Sequence, residues 1–399
     1  MSIATTQTSA AGSEQHGARA HSDGGWGAAT VPVQTRSERF SSTRHEDFAP
    51  VLGVEIDWKL TPVSRVKTLI DDELDGSAYD LADRGSSSGA AVEWIGMDDP
   101  RVGSAGTPED RAAANAWSST QKALSVTVSG DERIAVGLDR SGFGSAPRAA
   151  HTVITAKPNS QGHVVLRSSG PGVLAENVEI VVEDGARLTV VSLQEWDDYA
   201  LHLASHFARV GRDASLTHIV VSLGGAIVRV NPSVHLSGEG ANGDLYGLYF
   251  ADAGQHLEQR VYLHHEAAHT VGRVNYKGAL QGDGARTVWV GDVLIGRDAT
   301  GTDSYEQNRN LVLSEGTRAD SIPNLEIETG DILGAGHASA TGRFDDEQLF
   351  YLQARGISEA EARRLVVIGF LNEIVQKVGD PELESYLAGR IVDELGAAS

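Results

Sequence analysis

The chain has 399 residues, 40% of them hydrophobic, which is enough for a large core and more than one structural unit. Its 33 basic and 55 acidic residues give a formal charge of −22, which disfavours nucleic acids and anionic membranes as partners. Cysteine is absent, which excludes disulfides and thiolate metal sites built by this chain alone and indicates a cytoplasmic protein.

Residues 1–43 are rich in Ser, Thr, Ala and Gly and contain no apolar signal-peptide core, so we predict a disordered tail without a secretion signal. Residues 44–149 have mixed character and include one clear helical pattern. In it Thr61 is the predicted N-cap, Pro62 the first helical residue and Gly76 the stop. No apolar run is long enough to span a membrane as a helix.

Residues 150–340 consist of short runs rich in Val, Ile, Leu and Tyr, separated by turn residues too few to form helices. The tetrapeptide DGAR occurs at 184–187 and 283–286, each time just before such a run, and RDASL at 212–216 is a looser copy. This pattern predicts a sandwich, a barrel or a β-solenoid, and the small residues at the corners favour the solenoid.

Residues 341–399 return to helical periodicity with clear start and stop signals. Three helices are predicted, with N-caps at Asp345, Ser358 and Asp380 and ends near Gly356, Gly379 and Gly396. Their apolar stripes predict a compact C-terminal helical unit.

Three motifs suggest chemistry that their surroundings do not support. HEAAH at 265–269 matches a zinc-protease pattern, but the β-branched and aromatic residues around it predict a strand followed by a turn. GEGANG at 238–243 is followed by a strand pattern rather than the helix of a dinucleotide site, so we predict a glycine turn. His202 and His206 have helical spacing without a carboxylate pattern and are predicted to be structural.

His337 stands between small residues in the stretch GAGHASA, and local pattern alone predicts a solvent-facing loop residue. The longer segment around it, SIPNLEIETGDILGAGHASATGRFDDEQLFYLQARGISEAEARRLVVIGFLNEI at 321–374, resembles the SufB/SufD family of iron–sulfur cluster assembly scaffold proteins. Weaker matches are RHEDFAP with EIDWKLTP near the start and NYKGALQGDGART at 275–287.

Within that family the chain is most similar to the SufD-like members. SufB-like members have a His-Glu-Ala-Thr turn and a scaffold cysteine about 29 residues earlier, whereas this chain has HASA at 337–340 and Asn308 near the cysteine's place. Without any cysteine, the chain does not fit the sulfur-accepting member.

The resemblance implies a mainly β fold, in which a right-handed parallel β-helix over 150–340 is flanked by N-terminal and C-terminal helical regions. It implies a non-catalytic scaffold subunit that pairs with a cysteine-bearing SufB-like paralogue through the β-helix and with a SufC-like ABC ATPase through residues 341–399. It makes His337 the expected ligand of iron or of a nascent Fe-S cluster shared with the partner chain. Reduced flavin is associated with the family's full complex, although the sequence shows no flavin fingerprint.

The sequence is also compatible with other functions. The chain could be a purely structural partner of the SufB-like subunit, with His337 only packing in the interface, and it could also form a homodimer. A carbohydrate-acting β-helix enzyme would need a groove of acidic or Arg side chains on one β-face and a secretion signal, and neither is evident in the sequence.

Overall fold

The structure is a computed structural model that describes residues 39–343 and 346–396, with only the backbone described at 346–349. The predicted tail up to residue 38 and the predicted N-cap Asp345 lie outside the described residues. Strands alternate along the chain between two sheets, so each turn of the chain adds one strand to each sheet. The fold is therefore mainly β and is a parallel β-helix, as the resemblance implied.

The first sheet contains β1 (Asp80–Asp83), β4 (Arg133–Ser141), β6 (Gln161–Gly170), β8 (Arg187–Trp196), β10 (Ser215–Leu223), β12 (Asn242–Ala251), β14 (Val271–Leu280), β16 (Thr302–Val312) and β18 (Ile332–Arg343). The second sheet contains β2 (Ala90–Gly96), β3 (Lys122–Val128), β5 (Pro147–Ala156), β7 (Val173–Val182), β9 (Leu201–Val210), β11 (Ile227–Leu236), β13 (His256–His265), β15 (Arg286–Ile295) and β17 (Arg318–Ile327). Pairing is parallel except where β1 meets β4 and β2 meets β3. Parallel pairing begins with β3 and β5, so part of the region predicted as mixed already belongs to the sheets.

One column of turns contains the first copy of the DGAR motif, through Gly185, whereas the second copy lies in a different column, where the Gly284 N–H donates to the Gly316 carbonyl. In each turn of the first column a residue with positive φ donates its backbone N–H to a carbonyl of the next turn; these residues are Asn159, Gly185, Asp213, Gly240, His269 and Gly301. Glycine, asparagine and aspartate tolerate this left-handed conformation best. The first column contains the predicted glycine turn of GEGANG, through Gly240, and the predicted turn after β13, through His269. Both motif predictions are confirmed.

The interior of the β-helix is mostly aliphatic but contains a column of mainly polar residues, which ends at the exposed Thr341. From β4 to β18 the paired residues of this column are Arg140, Ser168, Gln194, Ser222, Tyr249, Gly278, Asn310 and Thr341. Tyr249 reaches past Gly278 to donate its hydroxyl to Asn310 Oδ1 at 2.8 Å. A Cβ atom on Gly278 would lie 1.9 Å from the Tyr249 ring, so only glycine fits there. Hydrogen bonding along the column offsets the cost of burying these groups.

The N-terminal helices cover the outer face of the second sheet. They are a 3-10 helix at His45–Asp47, α1 at Val63–Asp71 and α2 at Arg111–Ser119. The prediction for α1 was wrong at both ends: Pro62 is the N-cap, and the helix stops before Asp72. Thr61 does not cap because its hydroxyl donates to the buried carboxylate of Glu258 at 2.8 Å. Gly76 instead permits close approach, since a Cβ there would lie 1.8 Å from the Ser119 carbonyl oxygen.

The C-terminal helices are α3 (Asp346–Gln353), α4 (Glu359–Val375) and α5 (Pro381–Gly396). The predicted caps of the last two are confirmed, because Ser358 Oγ accepts from the Glu361 N–H and Asp380 Oδ1 from the Leu383 N–H. Both helices pack apolar side chains on the outer face of the first sheet. Among the described helices none has the length and apolar character required to cross a membrane.

His202 and His206 lie on the inward face of β9, and their helical spacing is accidental. His206 Nδ1 lies 3.0 Å from Nε2 of His218 in β10, and both imidazoles are buried. Burial lowers the pKa of His218 to about 4, and burial together with His218 lowers the pKa of His206. The two rings are therefore neutral in the folded protein near neutral pH.

This pair predicts loss of stability in mild acid. The unfolded chain binds protons on these imidazoles near pH 6.5, whereas the folded chain does not, so stability falls as the pH drops below 6.5. His218 alone is expected to contribute roughly 2 kcal/mol of loss between pH 6.5 and about pH 5. Urea unfolding across this range should show that slope, and the double variant His206→Leu with His218→Leu should reduce it; the remainder comes from other buried histidines such as His163, whose pKa burial also lowers. An unchanged slope in the double variant would contradict the assignment.

Candidate functional site at the last turn of the β-helix

His337 lies in β18, the last strand of the first sheet, and not in a loop. Its register partner in β16 is Glu306, and the His337 Nδ1 atom lies 4.0 Å from Glu306 Oε1. In the two preceding strands of this sheet, the position paired with Glu306 is Val274 in β14, and the position paired with Val274 is Leu245 in β12. Both side chains are buried. Because β18 ends the sheet, no further turn covers His337 within the described residues, and 46% of its side chain is exposed.

Small residues keep the surroundings of this imidazole open. Gly336 lies against the Tyr305 ring, where a Cβ atom would come within 3.1 Å. Ala338, Ser339 and Ala340 are exposed and add little bulk along the strand. A backbone or a long side chain from another molecule can therefore approach the imidazole closely.

Glu306 is the buried neighbour of His337. Its side chain is fully buried, and neither carboxyl oxygen has a hydrogen-bond partner among the described residues. One of these oxygens would lie 2.3 Å from a Cβ atom at Gly291, so glycine at that position leaves room for the carboxyl group. Burial, together with the negative charge of Asp292, raises the pKa of Glu306 to about 8. Near neutral pH the carboxyl group is therefore protonated, and its 4.0 Å contact with His337 is not an ion pair.

Asn308, predicted near the place of the family's scaffold cysteine, pairs with Ser339, two positions from the His337 pair. It is buried and donates through Nδ2 to the Tyr249 hydroxyl at 2.7 Å and to the Tyr276 carbonyl at 3.1 Å. These bonds make it part of the polar interior rather than an exposed ligand.

His337 and Glu306 do not form a complete metal site by themselves. Across residues 39–343 and 346–396, the side chains close enough to form a three-ligand group do not include either of them. Iron or a cluster at His337 would therefore need ligands from another molecule. Glu306 could not be identified from the sequence, because only its register with His337 marks it and no local motif does.

The last turn also presents open strand edges. Strands β17 and β18 end their sheets, so each has one edge without a partner strand among the described residues. Ile327 and Leu333 beside this edge are 44% and 81% exposed. An unpaired strand with exposed apolar side chains is a template for pairing with another chain.

Fold and site together define a parallel β-helix protein whose open end presents one accessible imidazole. A family model described as "SUF system FeS cluster assembly, SufBD core domain" matches residues 141–370. The chain belongs to the SufBD family of iron–sulfur cluster assembly proteins.

Mycobacterial relatives extend the match beyond the core domain. The chain is 47% identical to the iron-sulfur cluster assembly SufBD family protein Rv1462 of Mycobacterium tuberculosis, over 91% of this chain and 94% of that protein. It is 49% identical to the SufBD family protein ML0594 of Mycobacterium leprae, over 92% and 96%. A second family member of Mycobacterium leprae, ML0593, is 30% identical over 57% of this chain and 26% of that protein. The carbohydrate-acting enzyme considered from the sequence has no support in these similarities.

Proposed function

We propose that this chain is the SufD-like scaffold subunit of a SUF assembly complex, without ATPase or other catalytic activity of its own. In this role it pairs with a cysteine-bearing SufB-like paralogue, and a SufC-like ATPase docks on its C-terminal helices. The observation that carries the proposal is the exposed His337 in a family member that contains no cysteine.

The chemistry of the site supports a shared rather than a private ligand set. A nascent cluster is bound by thiolate or imidazole and must keep positions open for transfer. This chain has no thiolate, so its contribution is the imidazole of His337, and the partner supplies the sulfur ligands. The small residues beside His337 and the open edges of β17 and β18 give that partner access. The same edges would also serve a homodimer when the paralogue is absent.

Co-expression with the two partners tests this function directly. We expect the chain to co-purify with a cysteine-bearing paralogue and an ATPase, and the complex to contain iron, acid-labile sulfide and the visible absorption of a cluster. A complex that forms but never carries iron or sulfide would favour the purely structural role. Failure to bind either partner would contradict the proposal. A flavin spectrum of the same sample tests for reduced flavin, and fractionation of the cells tests the cytoplasmic location.

Helix α3 is the part of the C-terminal region best suited to receive the ATPase. Phe350 and Tyr351 are 72% and 55% exposed, whereas α4 and α5 bury their apolar faces on the first sheet. Exposed aromatic side chains are typical anchors of protein interfaces. Because α3 begins nine residues after His337, movement of a bound ATPase can reach the strand that carries the imidazole.

Replacing both aromatics with aspartate is expected to weaken ATPase binding at least about thirty-fold, since an interface anchor is typically worth about 2 kcal/mol or more. Titration of the ATPase against the purified chain measures the dissociation constant. Tyr199, 65% exposed in a turn of the β-helix, provides the matched control, Tyr199→Asp. Equal affinity of the α3 variant and this control would contradict docking on α3.

A further inference from the structure

Two histidines and a glutamate meet on the outer face of the second sheet. His235 in β11 and His264 in β13 are register partners, and Glu266 follows β13 directly. His235 Nδ1 lies 2.6 Å and His264 Nδ1 3.2 Å from the same oxygen, Oε1 of Glu266. One ligand atom from each residue lies within 4.8 Å of the other two. The parallel pairing fixes both histidines at the ends of their strands, so the group is held by the backbone of the sheet.

Two imidazole nitrogens and one carboxylate oxygen converge in this group. The side chains remain partly open to solvent, with 29%, 17% and 36% exposure for His235, His264 and Glu266. An ion can therefore reach the group from solution.

We propose that His235, His264 and Glu266 bind a divalent transition-metal ion that accepts nitrogen ligands, Zn²⁺ or Fe²⁺. Two imidazoles and one carboxylate with an open fourth position are a common ligand set for both ions. Metal bonds of about 2.0–2.2 Å place tetrahedral ligand atoms roughly 3.3 Å apart. The observed separations of 2.6 and 3.2 Å would have to widen by roughly 0.7 and 0.1 Å when the ion binds. Mg²⁺ prefers six oxygen ligands and is excluded by the two imidazoles.

The neighbouring side chains support the ligands in the metal-bound state. When Nδ1 of His235 binds the ion, its ring proton moves to Nε2, which lies 3.4 Å from the Ser233 hydroxyl. The buried ring of Tyr262 contacts both imidazoles, with centroids 5.8 Å from each. Such outer contacts set the orientation of ligating histidines.

This site uses one residue of the HEAAH motif in a different way from a zinc protease. His265 points into the β-helix and contacts the hydroxyls of Thr270 and Ser304 at 2.8 and 2.9 Å, and His269 belongs to the column of turns. Glu266 therefore pairs with His264, the residue just before the motif, and with His235 of the previous turn. The site lies on the second sheet whereas His337 lies on the first, so it does not rest on the proposed function.

Zinc titration of the chelator-treated full chain tests the site. Calorimetry should show that each chain binds one Zn²⁺ ion tightly. In the variants His264→Ala and Glu266→Gln, the affinity of the chain for this ion should fall at least about tenfold. Glu239 lies in the corresponding turn one coil earlier and pairs with Arg212, so Glu239→Gln is the matched control. Both Glu239→Gln and His337→Ala should bind Zn²⁺ like the wild type. Circular dichroism of each variant checks the fold, and Glu266→Gln is the variant least disturbing to packing.

The metal content of the purified chain identifies the ion. Because Zn²⁺ binds most nitrogen and oxygen sites more tightly than Fe²⁺, the ion is assigned from the metal content of the anaerobically purified chain: iron that is lost in Glu266→Gln assigns the site to iron, and zinc that is lost in this variant assigns it to zinc. X-ray absorption of the loaded chain should then show two imidazole ligands. Mg²⁺ should not compete with Zn²⁺ in the titration. Wild-type affinity in both Glu266→Gln and His264→Ala would overturn the proposal, as would loss of tight Zn²⁺ binding in His337→Ala alone.

Discussion

Replacing His337 with alanine is expected to abolish cluster maturation on the co-expressed complex while the complex itself still assembles. The imidazole is the ligand that we assign to this chain, and removing a metal ligand should lower bound iron and sulfide at least about tenfold. Little stability should be lost, because nearly half of the side chain is exposed and it makes no close hydrogen bond with another described residue. Iron, acid-labile sulfide and visible spectra of the purified complex measure the effect.

Two variants in the same turn separate ligation from packing. Ser339 is exposed in the same strand, so Ser339→Ala should mature clusters normally. Glu306→Gln keeps the shape of the buried carboxyl group but cannot ionise, and normal maturation in this variant would show that His337 acts without it. Normal cluster content in His337→Ala would contradict the assignment of His337 as a ligand and would leave a purely structural role for this residue.

The helix caps and turns that could be predicted from the sequence are those that depend only on residues close together in the chain. Ser358 and Asp380 cap their helices because an N-cap requires only a side-chain oxygen near the next turn of the same helix. The turns at Gly240 and His269 were predictable because glycine and β-branched flanks exclude a helix there. The α1 prediction was wrong because Thr61 found a partner 197 residues away, in Glu258.

The arrangement of the turns could not be read from periodicity. The left-handed positions Asn159, Gly185, Asp213 and Gly240 are separated by unequal numbers of residues, and the residue type changes from turn to turn. What repeats is a backbone conformation with a hydrogen bond to the next turn, and several residue types can adopt it. The family resemblance supplied the β-helix where periodicity left three folds open.

Of the two neighbouring residues in the candidate site, only one could be identified from the sequence. His337 was singled out through the resemblance, but its buried neighbour Glu306 is 31 positions earlier and becomes visible only through the pairing of β16 with β18. The group of His235, His264 and Glu266 was missed for the same reason, since register across neighbouring turns brings it together.

Replacing Glu176 with alanine is expected to destabilise the β-helix more than any other single change that we predict. Glu176 in β7 is completely buried, and it accepts from Arg140 Nη1 at 2.6 Å and lies 2.8 Å from Nε2 of His202. Although burial opposes its ionisation, Arg140 and His202 hold the pKa of this carboxyl well below its usual range. Its removal leaves the Arg140 guanidinium, also completely buried, without a counter-ion, which typically costs about 3–5 kcal/mol.

A paired replacement distinguishes loss of the charge partner from loss of packing. If the isolated charge is the cause, Arg140→Met combined with Glu176→Leu should recover most of the stability, since an apolar pair of similar volume is often neutral relative to a buried ion pair. Urea unfolding of the single and double variants provides the comparison, and a soluble double variant keeps the test valid should Glu176→Ala fail to fold. A loss below about 1 kcal/mol in Glu176→Ala, or no recovery in the double variant, would show that Arg140 finds another partner or that packing dominates.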